Sequence, residues 1–309
     1  MVFIDTLQPM KKYILLITLF SSTLWGAAQR YVDLAKFTYT NAPQVNVNPS
    51  PLDPFESSVI QSKLLTSIPV QISDSLAFLT GVDFENHTTT LKRGWAPSSV
   101  NIATLKAGFN IKHNARLSGT YLLLPKLASD YGNLSNSFQI GGIALFKYVI
   151  NPQTKFIFGS YSNTEIFGTL FVPILGVYHK SKNAKFESDI KFPITGFADY
   201  KLHNNVRIGA DFLMIVRTFD LTRNSSKDFY TQLASNEFGG YLQFDLLKER
   251  VIVKTEVLYT MFDYALYTDG SSTPFGMLGW YPGDERTRMN GKYENALGFK
   301  ISATYRFQL

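Results

Sequence analysis

Charged side chains in this sequence recur at every second position of otherwise apolar segments. Glu187, Asp189 and Lys191 alternate with Phe186, Ser188, Ile190 and Phe192. Arg207, Asp211 and Arg217 alternate with Ile208, Ala210, Phe212 and Val216; Lys254 and Glu256 alternate with Val253 and Val257. Taken along the chain, Lys106, Arg116, Lys147, Glu187, Lys191, Arg207, Asp211, Arg217, Asp245, Lys254, Glu256, Lys300 and Arg306 are expected on one polar face. Two kinds of chemistry use such a row. Fixed charges of both signs can line a watery path and bias it, with a basic excess favouring anions. They can equally pair across neighbouring segments and close that path with ion pairs.

Groups suited to covalent or metal chemistry are scarce. There is no Cys, which removes a disulfide framework, a thiolate metal site and a lipid-modified N-terminal Cys. Only four His occur, and His113, His179 and His203 fall in or beside predicted tight turns. His87, in Glu85-Asn86-His87-Thr88, has hydroxyls nearby and would be the base of a Ser-His hydrolase on the lipid-facing surface. A solvated loop His is the reading adopted for it. Walker, Gly-rich phosphate and zinc motifs are absent, so no enzymatic activity, cofactor or metal is expected. The net charge of +6 is dispersed, with no basic stripe for a nucleic acid.

A period of two requires strands. The last stretch, Ala296 to Leu309, is the most regular: Leu297, Phe299, Ile301, Ala303, Tyr305, Phe307 and Leu309 alternate with small or polar residues. A tilted strand of that length can cross a bilayer. Tight polar turns are predicted at Ser73 to Ser75, Lys112 to Asn114, Asn151 to Gln153, Ser181 to Asn183, His203 to Asn205 and Lys248 to Arg250. Longer connections are predicted between them, at Asn41 to Glu56, Glu85 to Pro97, Pro125 to Leu134, Ser162 to Gly168, Asp220 to Ser235 and Tyr267 to Asn290. Short turns alternating with long loops is the asymmetry of outer-membrane barrels. Pro193 divides Ala184 to Leu202 into a short hairpin, Lys185–Phe192 and Ile194–Leu202. With Tyr31–Thr40 as the first strand, the count is about fourteen, with twelve as the alternative. The fold class is therefore all-β, a transmembrane antiparallel up-and-down barrel. Trp280 and Tyr281 in the last long loop are expected in the interfacial aromatic girdle, with an inward constriction as the alternative.

Bulk composition agrees. Of 309 residues, 45% are hydrophobic and 17% charged, while mean hydropathy is near zero (-0.03) because the two kinds alternate. Lys11-Lys12, the apolar run from Tyr13 to Leu24 and Gly26-Ala27-Ala28 read as a secretory signal peptide over residues 1–28, with Met10 as the expected true start. The mature chain, 29–309, is expected to leave the cytoplasm by the general secretory route and form one barrel.

Ala28-Gln29, the Phe192-Pro193 break, Gly209-Ala210-Asp211-Phe212 and the terminal Tyr305-x-Phe307-x-Leu309 together resemble an uncharacterised family of outer-membrane β-barrel proteins of Gram-negative bacteria, a domain of unknown function. The terminal motif resembles the signal read by the barrel-assembly machinery, although it ends in Leu where the commonest version has Phe. The resemblance implies an outer-membrane location, contact with outer-membrane lipid, and assembly through Ala296 to Leu309. It carries no activity. A passive or facilitated pore for small solutes is the leading expectation. A closed-lumen structural or surface-interaction barrel is the second, and a lipid-modifying enzyme the third.

Overall fold

The computed structural model describes residues 31–48, 55–132, 134, 136–222 and 229–308. The signal segment, the start at Met10 and the terminal Leu309 lie outside the described residues. The chain is all-β. Its strand segments are β1 (Tyr31–Asn48), β2 (Phe55–Thr66), β3 (Ile68–Ser73), β4 (Leu76–Thr89), β5 (Ser98–Lys112), β6 (Leu117–Ser129), β7 (Phe138–Asn151), β8 (Thr154–Glu165), β9 (Gly168–Lys180), β10 (Phe186–Phe192), β11 (Thr195–His203), β12 (Val206–Leu221), β13 (Phe229–Leu246), β14 (Val251–Thr268), β15 (Phe275–Met277), β16 (Lys292–Tyr293) and β17 (Ala296–Gln308). Segments β2 and β3 are one stave interrupted at Ser67, and β15 and β16 belong to the last long loop. The remainder form a closed antiparallel barrel of fourteen staves, sealed where β1 pairs with β17.

Turn chemistry explains the tight rim. Asn114 Oδ1 accepts from the N–H groups of Arg116 and Leu117, both at 2.9 Å, and Asn151 Oδ1 does the same for Gln153 and Thr154. Such side-chain caps satisfy donors that a reversal would otherwise strand. The opposite rim departs from the predicted loops. Strands run on through residues read as connections, reaching Asn48, Thr89, Ser129 and Leu221 before they end. Ser162 to Gly168 is a tight reversal with only Ile166 and Phe167 between β8 and β9, not a long loop. Gly168 makes it possible at φ +135°, a left-handed backbone where the carbonyl of Thr273 leaves no room for a Cβ.

The outward face is apolar and exposed, including Phe37, Leu64, Val82, Leu105, Phe109, Leu123, Tyr200, Val257, Leu297 and Phe299. These residues come from β1, β2, β4 to β6, β11, β14 and β17, so the band passes from stave to stave around the wall. An apolar surface of that extent requires an apolar surrounding.

Inside, the loop-side half is built differently from the turn-side half. Hairpin β10–β11 is short, 7 and 9 residues against 13 in β9 and 16 in β12. Above it, β12 leaves the circumference and meets the top of β6, where Asp220 pairs with Ser129 in parallel and the N–H of Asp130 donates to the Asp220 carbonyl at 3.0 Å. At this level β1 to β6 and β12 to β14 with β17 make a smaller ring. Its inward side chains, among them Val47, Val59, Leu91, Ile102, Phe219, Leu233, Phe262 and Leu266, pack into one buried apolar cluster. The upper parts of β7 to β9 lie outside that ring.

The wall predicts its own thermodynamics. Val257, 67% exposed on the outer face, tests the band directly. Val257→Arg should destabilise the folded barrel in liposomes by about 2–4 kcal/mol, read by urea titration, while folded protein keeps heat-modifiable mobility on SDS gels. A change within error of zero would mean that this face does not meet lipid.

Candidate functional site

The candidate site is the interior between the packed mouth and the turn-side rim. Strand alternation aims the charged row there, and the structure brings most of it into ion pairs. Lys106 Nζ is 2.8 Å from Asp83, and Lys191 Nζ is 2.6 Å from Asp189. Arg207 reaches Asp199 at 2.8 Å, Asp245 at 3.4 Å and Glu187 at 3.9 Å. Lys254 lies 3.8 Å from Asp211 and 3.7 Å from the Tyr241 ring centroid. Arg306 pairs with Asp33 across the closing seam between β17 and β1. Lys147 is half-buried on the interior face of β7. Arg116 departs from the expected row: it sits exposed in the β5–β6 turn, where the capping by Asn114 places it outside the strand alternation.

Further up, alternating charges form a chain across the interior. Lys300 bridges Glu256 at 3.0 Å and Glu237 at 3.1 Å; Lys63 lies 4.0 Å from both Glu237 and Glu85; Arg217 lies 3.6 Å from Glu85. This chain ties β17, β14 and β13 to β2, β4 and β12. Beside it, Lys126 pairs with Glu165 at 3.2 Å, and the other Glu165 oxygen accepts from the Thr218 N–H and hydroxyl at 2.8 and 2.6 Å. Lys63, Lys126 and Glu165 were not among the residues singled out by sequence. Their alternation with apolar neighbours was the available signal.

His87 corrects a sequence expectation. It is buried, not solvated, because β4 continues through it and the smaller ring closes over it. Its Nδ1 lies 3.1 Å from the Tyr264 hydroxyl and its Nε2 3.4 Å from Glu85. The side chain therefore faces the interior, away from the lipid surface. His113 lies exposed in a tight turn and contacts the Tyr121 hydroxyl at 3.1 Å; His179 shares a 3.0 Å contact with Thr154 near the same rim; His203 ends β11.

Between the charge chain and the short hairpin lies a cavity of about 740 Å³. Its lining is divided. Asp83, Glu85, Lys106, Lys126, Asn163 and Arg217 supply polar groups, while Leu122, Leu124, Ile143, Leu170, Val172 and Val216 supply apolar ones. Asn163 Oδ1 and Arg217 Nε are buried and make no hydrogen bond within the described residues.

The last long loop straps the outer face of β13 and β14 over this cavity. Arg286 inserts among Phe167, Tyr267 and Tyr281, 4.4 to 5.5 Å from their ring centroids, and its side chain is 1% exposed. It donates to Asp284 from Nε and Nη2, to the Tyr230 hydroxyl at 3.1 Å and to Gln232 at 2.8 Å. These donated bonds hold the Asp284 carboxyl below its ordinary range. Arg288 forks onto Asp263, both bonds at 2.7 Å. Tyr281 is thus a partner of Phe167 and of Gln232, whose amide donates to its hydroxyl, and is not a girdle residue; Trp280 beside it is exposed.

No family model matches the sequence, and no curated protein does. Among solved structures, the NanC porin in a rhombohedral crystal form is 10% identical, with 88% of this chain and 98% of that chain covered at a TM-score of 0.39. The toluene transporter TodX of P. putida is 8% identical, with 91% of each chain covered at 0.36. A bacterial polysaccharide outer membrane secretin is 9% identical, with 89% and 99% covered at 0.34. The chain resembles each of them distantly.

The strap yields a prediction. Arg286→Ala should lower its local opening free energy by about 2 kcal/mol, since a buried cation and its aromatic contacts go together. Limited proteolysis should then cut within residues 284–291 at least tenfold faster while the barrel stays intact. Because the Asp284 carboxyl is depressed, its contribution holds at neutral pH and is lost as pH falls through that lowered value. Equal cleavage rates in parent and variant would overturn this role.

Proposed function

We propose that the chain is an outer-membrane barrel that facilitates passage of small solutes through a constricted interior. The observation that carries this is the cavity of about 740 Å³ held inside a closed barrel, with both polar and apolar walls. Its size falls within the range of small-molecule sites, roughly 300–1,000 Å³. The exposed apolar band and the aromatic-rich closing strand support an outer-membrane location. Assembly through Ala296 to Leu309 by the barrel-assembly machinery, and kinship with the uncharacterised barrel family, belong to the same proposal. The paired charges argue for a filter of ion pairs and against a broad ring of unpaired cations.

A closed-lumen barrel is the second reading, favoured by the packed cluster at the mouth. The two readings differ in flux. Refolded protein in planar bilayers should show brief, low-conductance openings. Lys300→Met leaves Glu237 and Glu256 without their shared cation, so openings should lengthen and shift toward cations, by severalfold in permeability ratio. Silence in both proteins, together with no solute entry into liposomes, would favour the closed barrel. A large steady conductance would instead remove the constriction from the account.

A further inference from the structure

The cavity is not confined to the interior. Its lining includes Ile215 and Arg217 from the inward face of β12, but also Met214 and Val216 from the outward face. It continues to Gln232, Ala234, Asn236 and Asp263, which lie on the outward faces of β13 and β14. A space bounded by both faces of one strand reaches around that strand's edge, where its neighbour has ended.

Strand pairing shows where. Segment β9 pairs with β10 only over Leu175–Lys180, and β12 pairs with β11 only over Val206–Leu213. Above those limits no stave stands between Val172 and Val216 among the described residues. The gap is framed below by the Phe192-Pro193-Ile194 tip, beside by Val172 and Val216, and above by Leu278 of the strap. Phe192 and Leu278 are exposed on the outside, at 57% and 52%. Pro173, which has no N–H to offer a neighbour, sits in the stretch of β9 that has lost β10.

The chemistry of the walls restricts what enters. The charged lining groups already have partners: Asp83 with Lys106, Glu85 with Arg217, Lys126 with Glu165, and Asp263 with Arg288. The lining also carries uncharged polar side chains, those of Thr104, Tyr161, Asn163 and Asn236. An uncharged hydroxyl can donate to or accept from such groups without displacing an ion pair. Leu124, Ile143, Leu170, Val172 and Ile194 share the lining and suit an apolar body.

We propose that this cavity binds a small amphipathic molecule, an apolar body with one uncharged hydroxyl-type head, and exchanges it with the surrounding lipid through the window above the β10–β11 tip. The proposal rests on the transport reading and adds to it a substrate class and a lateral route. A charged head would compete with existing ion pairs, and a body without a head would take water from the polar lining groups and offer them no partner.

The test uses the full mature chain in lipid nanodiscs and in liposomes, with empty discs as the partition blank. The probes are 1-naphthol, naphthalene, naphthalene-1-sulfonate and glucose. 1-Naphthol should bind saturably at one site per barrel, and naphthalene and the sulfonate at least tenfold more weakly. Val172→Trp and Ile194→Trp each place bulk in the window and should slow 1-naphthol exchange at least tenfold; the second changes a tip residue, so it remains informative if the first misfolds. Asn163→Leu, with folding checked by heat-modifiable mobility, should bring 1-naphthol and naphthalene to within about twofold. If glucose enters liposomes while both Trp variants exchange 1-naphthol at the parental rate, passage is axial: the window is overturned and the transport reading stands. Equal affinity for 1-naphthol and naphthalene in the parent overturns the head-group assignment. If nothing binds above the blank and nothing enters, both the site and the transport reading fail.

Discussion

A strand edge cannot remain unpaired inside a membrane, because every exposed N–H and carbonyl there lacks water to bond with. The short β10–β11 hairpin creates two such edges, on the upper parts of β9 and β12, and much of the molecule follows from how they are covered. On β9, Thr169–Phe171 take β15 as a parallel partner, which anchors the strap. On β12, the edge turns inward. The Gln139 amide donates to the Thr218 carbonyl at 3.1 Å, the Ile166 N–H donates to the Thr218 hydroxyl at 2.9 Å, and Asp220 pairs with Ser129. Satisfying that edge narrows the barrel, and narrowing it brings Phe219 and Leu221 against Leu91, Ile102 and Ala128.

The charge chain is what a narrowed interior can tolerate. Burying one carboxylate alone is costly, whereas an alternating series offsets desolvation with neighbours on both sides. Glu256, Lys300, Glu237, Lys63, Glu85 and Arg217 alternate in sign and connect strands far apart in sequence. Such a chain fixes which strands face one another across the barrel more firmly than it adds to net stability. It also defines a floor for the apolar mouth and a polar wall for the cavity below it. The same groups thus separate a dry upper region from a divided lower one.

Alternation made the staves legible, because a residue's face depends only on its parity. The short hairpin was legible too, since Pro193 falls between two segments too brief to match their neighbours. What parity does not contain is the partner. By parity Thr218 and Asp220, the second predicted to open a long connection, fall on the outward face of β12, but the outward face of upper β12 meets Glu165, Gln139 and Asp130 instead of lipid. The same blindness hid His87, whose neighbours suggested a rim loop although Tyr264 and Phe219 from distant strands cover it. Arg286 and Arg288 lay in a loop noted for its aromatics. Phe167 and Tyr267, the rings that receive Arg286, are remote from it in sequence.

The interior of β9 shows why the gap and the cavity belong together. In β4, β10 and β11 the inward positions carry Asp83, Glu85, Glu187, Asp189, Lys191 and Asp199, as a watery or ion-paired interior requires. In the upper part of β9 the inward positions are Leu170, Val172 and Ile174, all buried, whereas Lys180 at its lower end pairs with Glu187. Apolar groups facing a water-filled lumen would gain nothing over polar ones, and a strand walled by lipid outside has no need of them inside. They make sense where the space they face is itself dry. Leu170 and Val172 pack with Phe167 of the β8–β9 reversal and with Tyr230, Ala265 and Tyr267 from the strap side of β13 and β14. The outward face of one part of the barrel has become the lining of another. That exchange of faces is available only where the wall is interrupted, so the apolar side of the chamber and the missing upper stave are consequences of the same truncated hairpin.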